Sequence, residues 1–138
     1  MTGASLAPGV EIPVVSRTTT AVDLFMFSAA AWLLHRIHYD LAYTTEEEGY
    51  PGLLIHGPLQ GTYMVQGAQV FLGSGARLAT LTYRHLAPAF LGEELECGGV
   101  VVAAAPESVG LELWVRKLDG TVTTQGKATF VLHKEGEQ

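Results

Sequence analysis

Three of the five histidines in this chain lie around one connection. His35 and His38 stand in the run HRIHYD, which ends at Asp40, and His56 precedes Gly57 and a proline. Imidazole is the side chain best suited to moving a proton near neutral pH. We therefore predict that this connection carries the chemistry, with His38 as the proton-transfer group. A structural role, in which the His38 ring bonds a buried carbonyl, is the alternative.

The same run also suggests a metal site, with His35, His38 and Asp40 as ligands. Its spacing is short, and no Cys-x-x-Cys or His-Glu-x-x-His motif accompanies it, although metal sites commonly use such motifs. The chain also lacks a nucleophile elbow, a phosphate-binding loop and a dinucleotide fingerprint. We therefore expect neither a metal nor a cofactor.

Gly57 and Arg84 are candidates for binding a ligand. A glycine lets a backbone N–H approach a ligand closely, and the unpaired donors of a helix start can stabilise negative charge on a carbonyl oxygen. An ordinary helix start would have the same Gly-Pro sequence. Arg84, at the end of a predicted strand, could bind a phosphate or carboxylate, or could simply be solvated.

Two helices and a set of strands must position these residues. The pattern from Thr20 to Asp23 predicts a helix start, followed by a helix over residues 21–34 that is too apolar for a one-sided surface helix. It is either wedged into the core or part of a subunit contact. A second helix is predicted over 58–72. Strands are predicted over 11–17 at a sheet edge, 78–83, 94–105, 111–116 and 125–132, with an Asp-Gly hairpin turn at 119–120.

The length indicates one domain over residues 1–138, and helices followed by antiparallel strands indicate the α+β class. We expect residues 1–9 to be flexible. The net charge of -6 argues against a nucleic-acid partner. No apolar run reaches the length of a membrane span, and the first ten residues do not read as a signal peptide. A single cysteine, Cys97, is typical of a reducing compartment, so we expect a cytoplasmic protein.

Together these motifs resemble the MaoC-like hot-dog-fold dehydratases and hydratases. The resemblance rests on HRIHYD at 35–40, GYPGL at 49–53, HGPL at 56–59 and YRHLAP at 83–88, and it covers most of the chain. It implies a single hot-dog fold, with an antiparallel β-sheet wrapped around a central α-helix, and a homodimer or higher homo-oligomer. It also implies reversible water addition to an enoyl thioester of coenzyme A or an acyl-carrier protein.

The resemblance implies roles for individual residues. A histidine in the position of His38 works with an acidic residue five positions earlier, and the amide of Gly57 polarises the thioester carbonyl. Here Leu33 stands where the acid is expected, and leucine can neither transfer a proton nor orient water. His35 and Asp40 are the nearest replacements, since Asp40 could orient a histidine from two positions away.

The remaining predicted contacts are supporting ones. His56 supports the catalytic group, and Arg36 and Arg84 contact phosphate or pantetheine. Trp32 and Leu33 contact the acyl chain, with the dimer interface as the alternative for the apolar residues of the first helix. Two alternatives follow from Leu33: a non-catalytic subunit that binds acyl thioesters, and a hot-dog thioesterase. The thioesterase would need a carboxylate on the second helix, which has none. Acyl length, carrier, direction and stereochemistry are left open.

Overall fold

A five-stranded antiparallel sheet curves around one long helix in the computed structural model, which describes residues 5–134. The strands lie in the order β1-β3-β4-β5-β2, and the central helix, α2, contacts all five. This is the predicted α+β arrangement of a sheet around a central helix. The elements are β1 (Glu11–Thr18), α1 (Ala21–Ala31), α2 (Gly57–Leu72), β2 (Ala76–His85), β3 (Glu94–Ala105), β4 (Ser108–Lys117) and β5 (Val122–Leu132).

Small residues let the sheet approach α2 closely. A Cβ added at Gly61 would lie 3.3 Å from the ring of Tyr83 on β2, so the glycine makes room for that ring. Larger apolar side chains recur at helical spacing along the same buried face, at Met64, Ala68 and Leu72. The poor helix propensity of the glycines is therefore offset by burial.

The strands lie where predicted, and most of them are longer than predicted. The bounds of β3 are as predicted, whereas β2, β4 and β5 each extend beyond their predicted ranges because ladder hydrogen bonds continue past the alternating core. β1 lies at a sheet edge, as predicted, and its register shifts between Ile12 and Val15, next to Pro13. Gly120 has φ 91° at the predicted hairpin turn.

Helix α1 begins where predicted and ends three residues early. The Thr20 hydroxyl accepts from the Asp23 N–H at 3.1 Å, and the Asp23 carboxylate accepts from the Thr20 N–H at 2.8 Å. Trp32, predicted inside the helix, has φ 56° and ends it with its N–H donating to the Ser28 carbonyl. This left-handed residue turns the chain towards the histidine segment.

The apolar side chains of α1 lie mostly on the surface. Only Leu24 and Ser28 are buried, while Phe25 and Met26 are more than 60% exposed. The exposure of these side chains shows that α1 is not wedged into the core of the single chain, which was the first of its two predicted positions. The second position, in a subunit contact, stays a prediction.

The described N-terminal residues pack on the sheet. Residues 1–4 of the segment predicted to be flexible lie outside the described residues, and the Gly9 N–H donates to the Val101 carbonyl at 2.8 Å. None of the helices in residues 5–134 is both long and apolar enough to cross a membrane.

Candidate active site

A single carbonyl orients the ring of His38. The residue ends a short 3₁₀ turn, Arg36–His38, and its Nδ1 lies 2.8 Å from the carbonyl oxygen of Leu54. A carbonyl only accepts, so Nδ1 carries the hydrogen and Nε2 of the neutral ring keeps its lone pair. Partial burial lowers the pKa of His38, more than the Leu54 bond raises it. His38 is therefore a neutral imidazole of fixed orientation near neutral pH.

His56 lies behind His38 and is fully buried. The two rings stack, with centroids 3.8 Å apart and planes 20° apart, and His56 Nε2 lies 2.7 Å from the Ser28 hydroxyl on α1. Burial, together with the nearby His38, lowers the pKa of His56 to about 4. His56 is thus an uncharged support that fixes the His38 ring from behind. Its Nδ1 has no partner among the described residues.

Gly57 is required for space at the start of α2. A Cβ added there would lie 1.7 Å from Nε2 of His85, the last residue of β2. The His85 Nδ1 is bonded to the Thr124 hydroxyl at 3.0 Å. The first N–H groups of a helix have no acceptor within the helix. Because Pro58 has no N–H, the Gly57 amide is the first such donor at the start of α2. Sequence reasoning did not select His85, because only the fold brings residue 85 onto residue 57.

His38, Gly57 and His85 line one cavity of about 390 Å³. Its polar lining comes from His38, Gln60 and His85, beside the backbone of Gly57. Apolar residues form the rest of the wall, namely Ile37, Leu54, Ile55, Leu86, Ala87 and Pro88. An apolar cleft with a few converging polar groups is typical of a small-molecule site.

Asp40 pairs with Arg36 rather than with a histidine. One Asp40 oxygen accepts from Arg36 Nε and Nη2 at 3.1 and 2.9 Å, and the other accepts from the Tyr43 N–H at 3.1 Å. These bonds, the one from Tyr43 first, lower the pKa of Asp40. The orienting role expected of Asp40 therefore belongs to the carbonyl of Leu54.

His35 is exposed beside His38, with ring centroids 6.3 Å apart. Its charge contributes to lowering the His38 pKa. His35 thus adjoins the candidate base without being one of the described residues that line the cavity.

None of the four predicted substrate contacts, Arg36, Arg84, Trp32 and Leu33, is among the described residues that line the cavity. Trp32 is 78% exposed at the end of α1, and Leu33 is half-buried after it. Arg84 alternates with Tyr83 and His85, which contact α2, so it faces the opposite side of the sheet. There it lines a separate cavity of about 370 Å³ together with Glu112, Gln125 and Lys127.

Residues 5–134 show neither a cluster of metal-ligating side chains nor a reactive cysteine. They contain no group of three or more His, Cys, Asp or Glu side chains placed to hold a metal ion. Burial raises the pKa of the Cys97 thiol to about 12, so this residue stays a protonated core side chain.

Comparison with known sequences places most of the chain in one family. Residues 9–91 match the model of a family described as hydroxyacyl-thioester dehydratase type 2. A mesaconyl-C(4)-CoA hydratase of Chloroflexus aurantiacus is 40% identical over 87 residues, which are 59% of this chain and 30% of that protein. A mitochondrial hydroxyacyl-thioester dehydratase type 2 of Schizosaccharomyces pombe is 33% identical over 79 residues, 56% of this chain and 26% of that protein. The matches thus span less than a third of either relative's length.

Comparison with solved structures confirms the predicted hot-dog fold. An R-hydratase of Pseudomonas aeruginosa, in its unliganded form, superposes with a TM-score of 0.84 over 94% of this chain and 84% of that one. The sequence identity is 24%. At this identity the likeness is one of fold.

Proposed function

Because the chain belongs to the hydroxyacyl-thioester dehydratase type 2 family, we propose that it adds water reversibly to an enoyl thioester to give a 3-hydroxyacyl thioester. The observation that carries this proposal is His38, which lines the cavity and whose Nδ1 is bonded to the Leu54 carbonyl, so that Nε2 keeps its lone pair. The names of the two relatives, a hydratase and a dehydratase, support the same reaction class.

In the hydration direction the reaction has three parts. Nε2 of His38 takes a proton from water as the water oxygen bonds C3 of the substrate. The electrons of the double bond move onto the thioester oxygen, where the Gly57 N–H and the positive end of α2 stabilise the negative charge. A proton is then added at C2. Dehydration runs these steps in reverse, through the same groups.

The surroundings of the cavity support an acyl thioester as substrate. Its apolar wall suits an acyl chain, and coenzyme A or an acyl-carrier protein would extend outside it. Arg36 and Arg84 stay proposed contacts for the phosphates of such a carrier. The Arg84 cavity also holds Lys127, so two basic side chains stand against the single acidic one of Glu112, and an anion there could pair with Arg84 or Lys127. Trp32 and Leu33 stay proposed contacts of the acyl chain or of a second subunit.

A homodimer or higher homo-oligomer is part of the proposal. Val22, Phe25 and Met26 on α1 and Trp32 at its end are 61–78% exposed in the single chain, and a contiguous apolar surface usually marks an interface. A second copy of the chain would cover it. Light scattering is expected to give at least twice the mass of one chain. A cytoplasmic location stays a prediction from the single cysteine.

The test of the function is a panel of enoyl and 3-hydroxyacyl thioesters, on coenzyme A and on a carrier protein, with products identified by mass. We expect the enoyl thioester to gain the mass of one water. His38→Ala should lower turnover by about 10²–10⁴-fold, the usual contribution of a general base. His133→Ala, an exposed histidine outside the cavity, is the matched control and should keep full activity.

Other outcomes point to the alternatives. A free thiol as product would identify a thioesterase. Binding of the thioester with no product at all would identify the non-catalytic subunit that Leu33 favours. Full activity in folded His38→Ala would remove His38 from the mechanism.

A further inference from the structure

Adding water across a double bond moves two protons, and the mechanism above assigns only one of them. Water loses a proton as its oxygen bonds C3, and C2 must gain a proton from some donor. Among the described residues that line the cavity, His38 and His85 are the two whose side chains can exchange a proton near neutral pH. The cavity wall contains no carboxylate within the described part of the chain.

A chain of hydrogen bonds fixes which nitrogen of His85 faces the cavity. The Thr124 hydroxyl donates its single hydrogen to Oε1 of Gln60 at 2.8 Å, and Thr123 donates to the same oxygen at 2.7 Å. Thr124 can therefore only accept from His85, so the His85 Nδ1, 3.0 Å away, carries a hydrogen. The Nε2 atom is left to gain or lose a proton without disturbing this bond.

The amide of Gln60 gives the chain its direction. Its Nε2 lies 3.5 Å from the carbonyl oxygen of Ile55, which only accepts, so the other amide atom facing the two threonines is the oxygen. All three side chains of this relay, Gln60, Thr123 and Thr124, are buried. The orientation of the His85 ring is therefore determined by the core rather than by solvent.

The position of His85 Nε2 suits the second proton. It lies directly over Gly57, at 1.7 Å from where a Cβ would stand. The proposed function puts the thioester oxygen at the Gly57 amide, and C2 is bonded to the carbon that bears this oxygen. An oxygen held by Gly57 thus brings C2 next to the His85 ring. His85 is also exposed on its outer side, so it can exchange protons with solvent.

We propose that His85 is a second catalytic residue, whose Nε2 exchanges the proton at C2 while His38 exchanges the proton of water. This inference rests on the proposed function. In hydration, protonated His85 gives its Nε2 proton to C2 as the enolate electrons form the C2–H bond and the thioester C=O is restored. The cycle leaves His38 protonated and His85 neutral, and solvent returns the proton from one to the other. Net consumption is one water per double bond.

The test compares two substitutions of His85 with different chemistry. His85→Ala removes the whole ring, whereas His85→Asn keeps an amide nitrogen near the place of Nδ1 and so can still bond Thr124, but lacks Nε2. Both should lower kcat by about 10²–10⁴-fold with little change in KM. Added imidazole should restore part of the activity of His85→Ala, because the vacated space is open to solvent. It should not restore His85→Asn, whose amide occupies that space. His133→Ala again serves as control.

Each result decides the proposal. Loss of activity in both variants, with imidazole rescue of His85→Ala, supports it. Wild-type turnover in His85→Asn would show that the bond to Thr124 is what matters and would overturn a catalytic role, as would full activity in His85→Ala. When the wild type is active and His38→Ala is inactive, full activity in a His85 variant refutes only the role of His85 and leaves the proposed function standing. If the wild type turns over no thioester, the proposed function fails and the role of His85 with it.

Discussion

Burial of His56 should make the stability of the fold depend on pH. Its pKa is lowered from 6.5 to about 4 in the folded chain because burial disfavours the charged ring. In the unfolded chain the same residue titrates at its ordinary value. Between these two pKa values the unfolded state binds a proton that the folded state does not. The contribution of His56 is therefore complete above pH 6.5 and is lost as the pH falls towards 4.

The size of this effect follows from the shift in pKa. The difference between a pKa of 6.5 and one of about 4, at about 1.4 kcal/mol per pKa unit, corresponds to about 3 kcal/mol below both pKa values. At a pH of about 5 the loss relative to a pH of about 8 is about 2 kcal/mol. This is a large part of the roughly 5–15 kcal/mol that holds a typical domain folded.

Urea unfolding at these two pH values measures the loss directly. Wild type and His56→Gln are compared at one protein concentration, because an oligomer's stability depends on concentration. Groups that titrate in both proteins cancel in the comparison. We expect the free energy of unfolding to fall by about 2 kcal/mol more in the wild type than in His56→Gln, which has no imidazole to protonate. Equal pH dependence in the two proteins would refute the argument from burial.

Two further substitutions test the packing of the site. Gly57→Ala should displace the His85 ring, since the new Cβ would lie 1.7 Å from Nε2, and should therefore lower turnover of the thioester. Gly52→Ala is the control, because a Cβ there meets no atom within 4 Å. Equal activity of the two variants would contradict the contact between residue 57 and His85. Ser28→Ala removes the partner of His56 Nε2 and should lower the free energy of unfolding by about 1–3 kcal/mol at a pH of about 8. An unchanged urea midpoint would show that this bond contributes nothing.

Local patterns predicted those elements whose ends are set by local chemistry. The capping box from Thr20 to Asp23 fixed the start of α1 because both of its hydrogen bonds lie within four residues. The bounds of β3 were predicted because every residue from Cys97 to Ala105 is apolar or small. The end of α1 was missed because Trp32 adopts a left-handed conformation that favours glycine.

Sequence reasoning selected two residues of the candidate site and missed a third. His38 and Gly57 were selected from sequence, whereas His85 was not, since its position depends on the end of β2 meeting the start of α2. The pairing of Asp40 with Arg36 had a signal in the sequence, because residues four apart meet on one helical turn. The Asp40–histidine contact was expected for an extended backbone. Because residues 36–38 form a 3₁₀ turn instead, Asp40 meets Arg36.

The most direct test of the central claim is oxygen exchange in heavy-oxygen water. A 3-hydroxyacyl thioester that the panel identifies as substrate is incubated with wild type and with His38→Ala, and the label is located by mass spectrometry. Repeated loss and addition of water by the wild type should place the heavy oxygen on C3 of the intact thioester, and His38→Ala should leave the substrate unlabelled. Label only in a released carboxylate, or equal labelling by both proteins, would contradict a hydratase that works through His38.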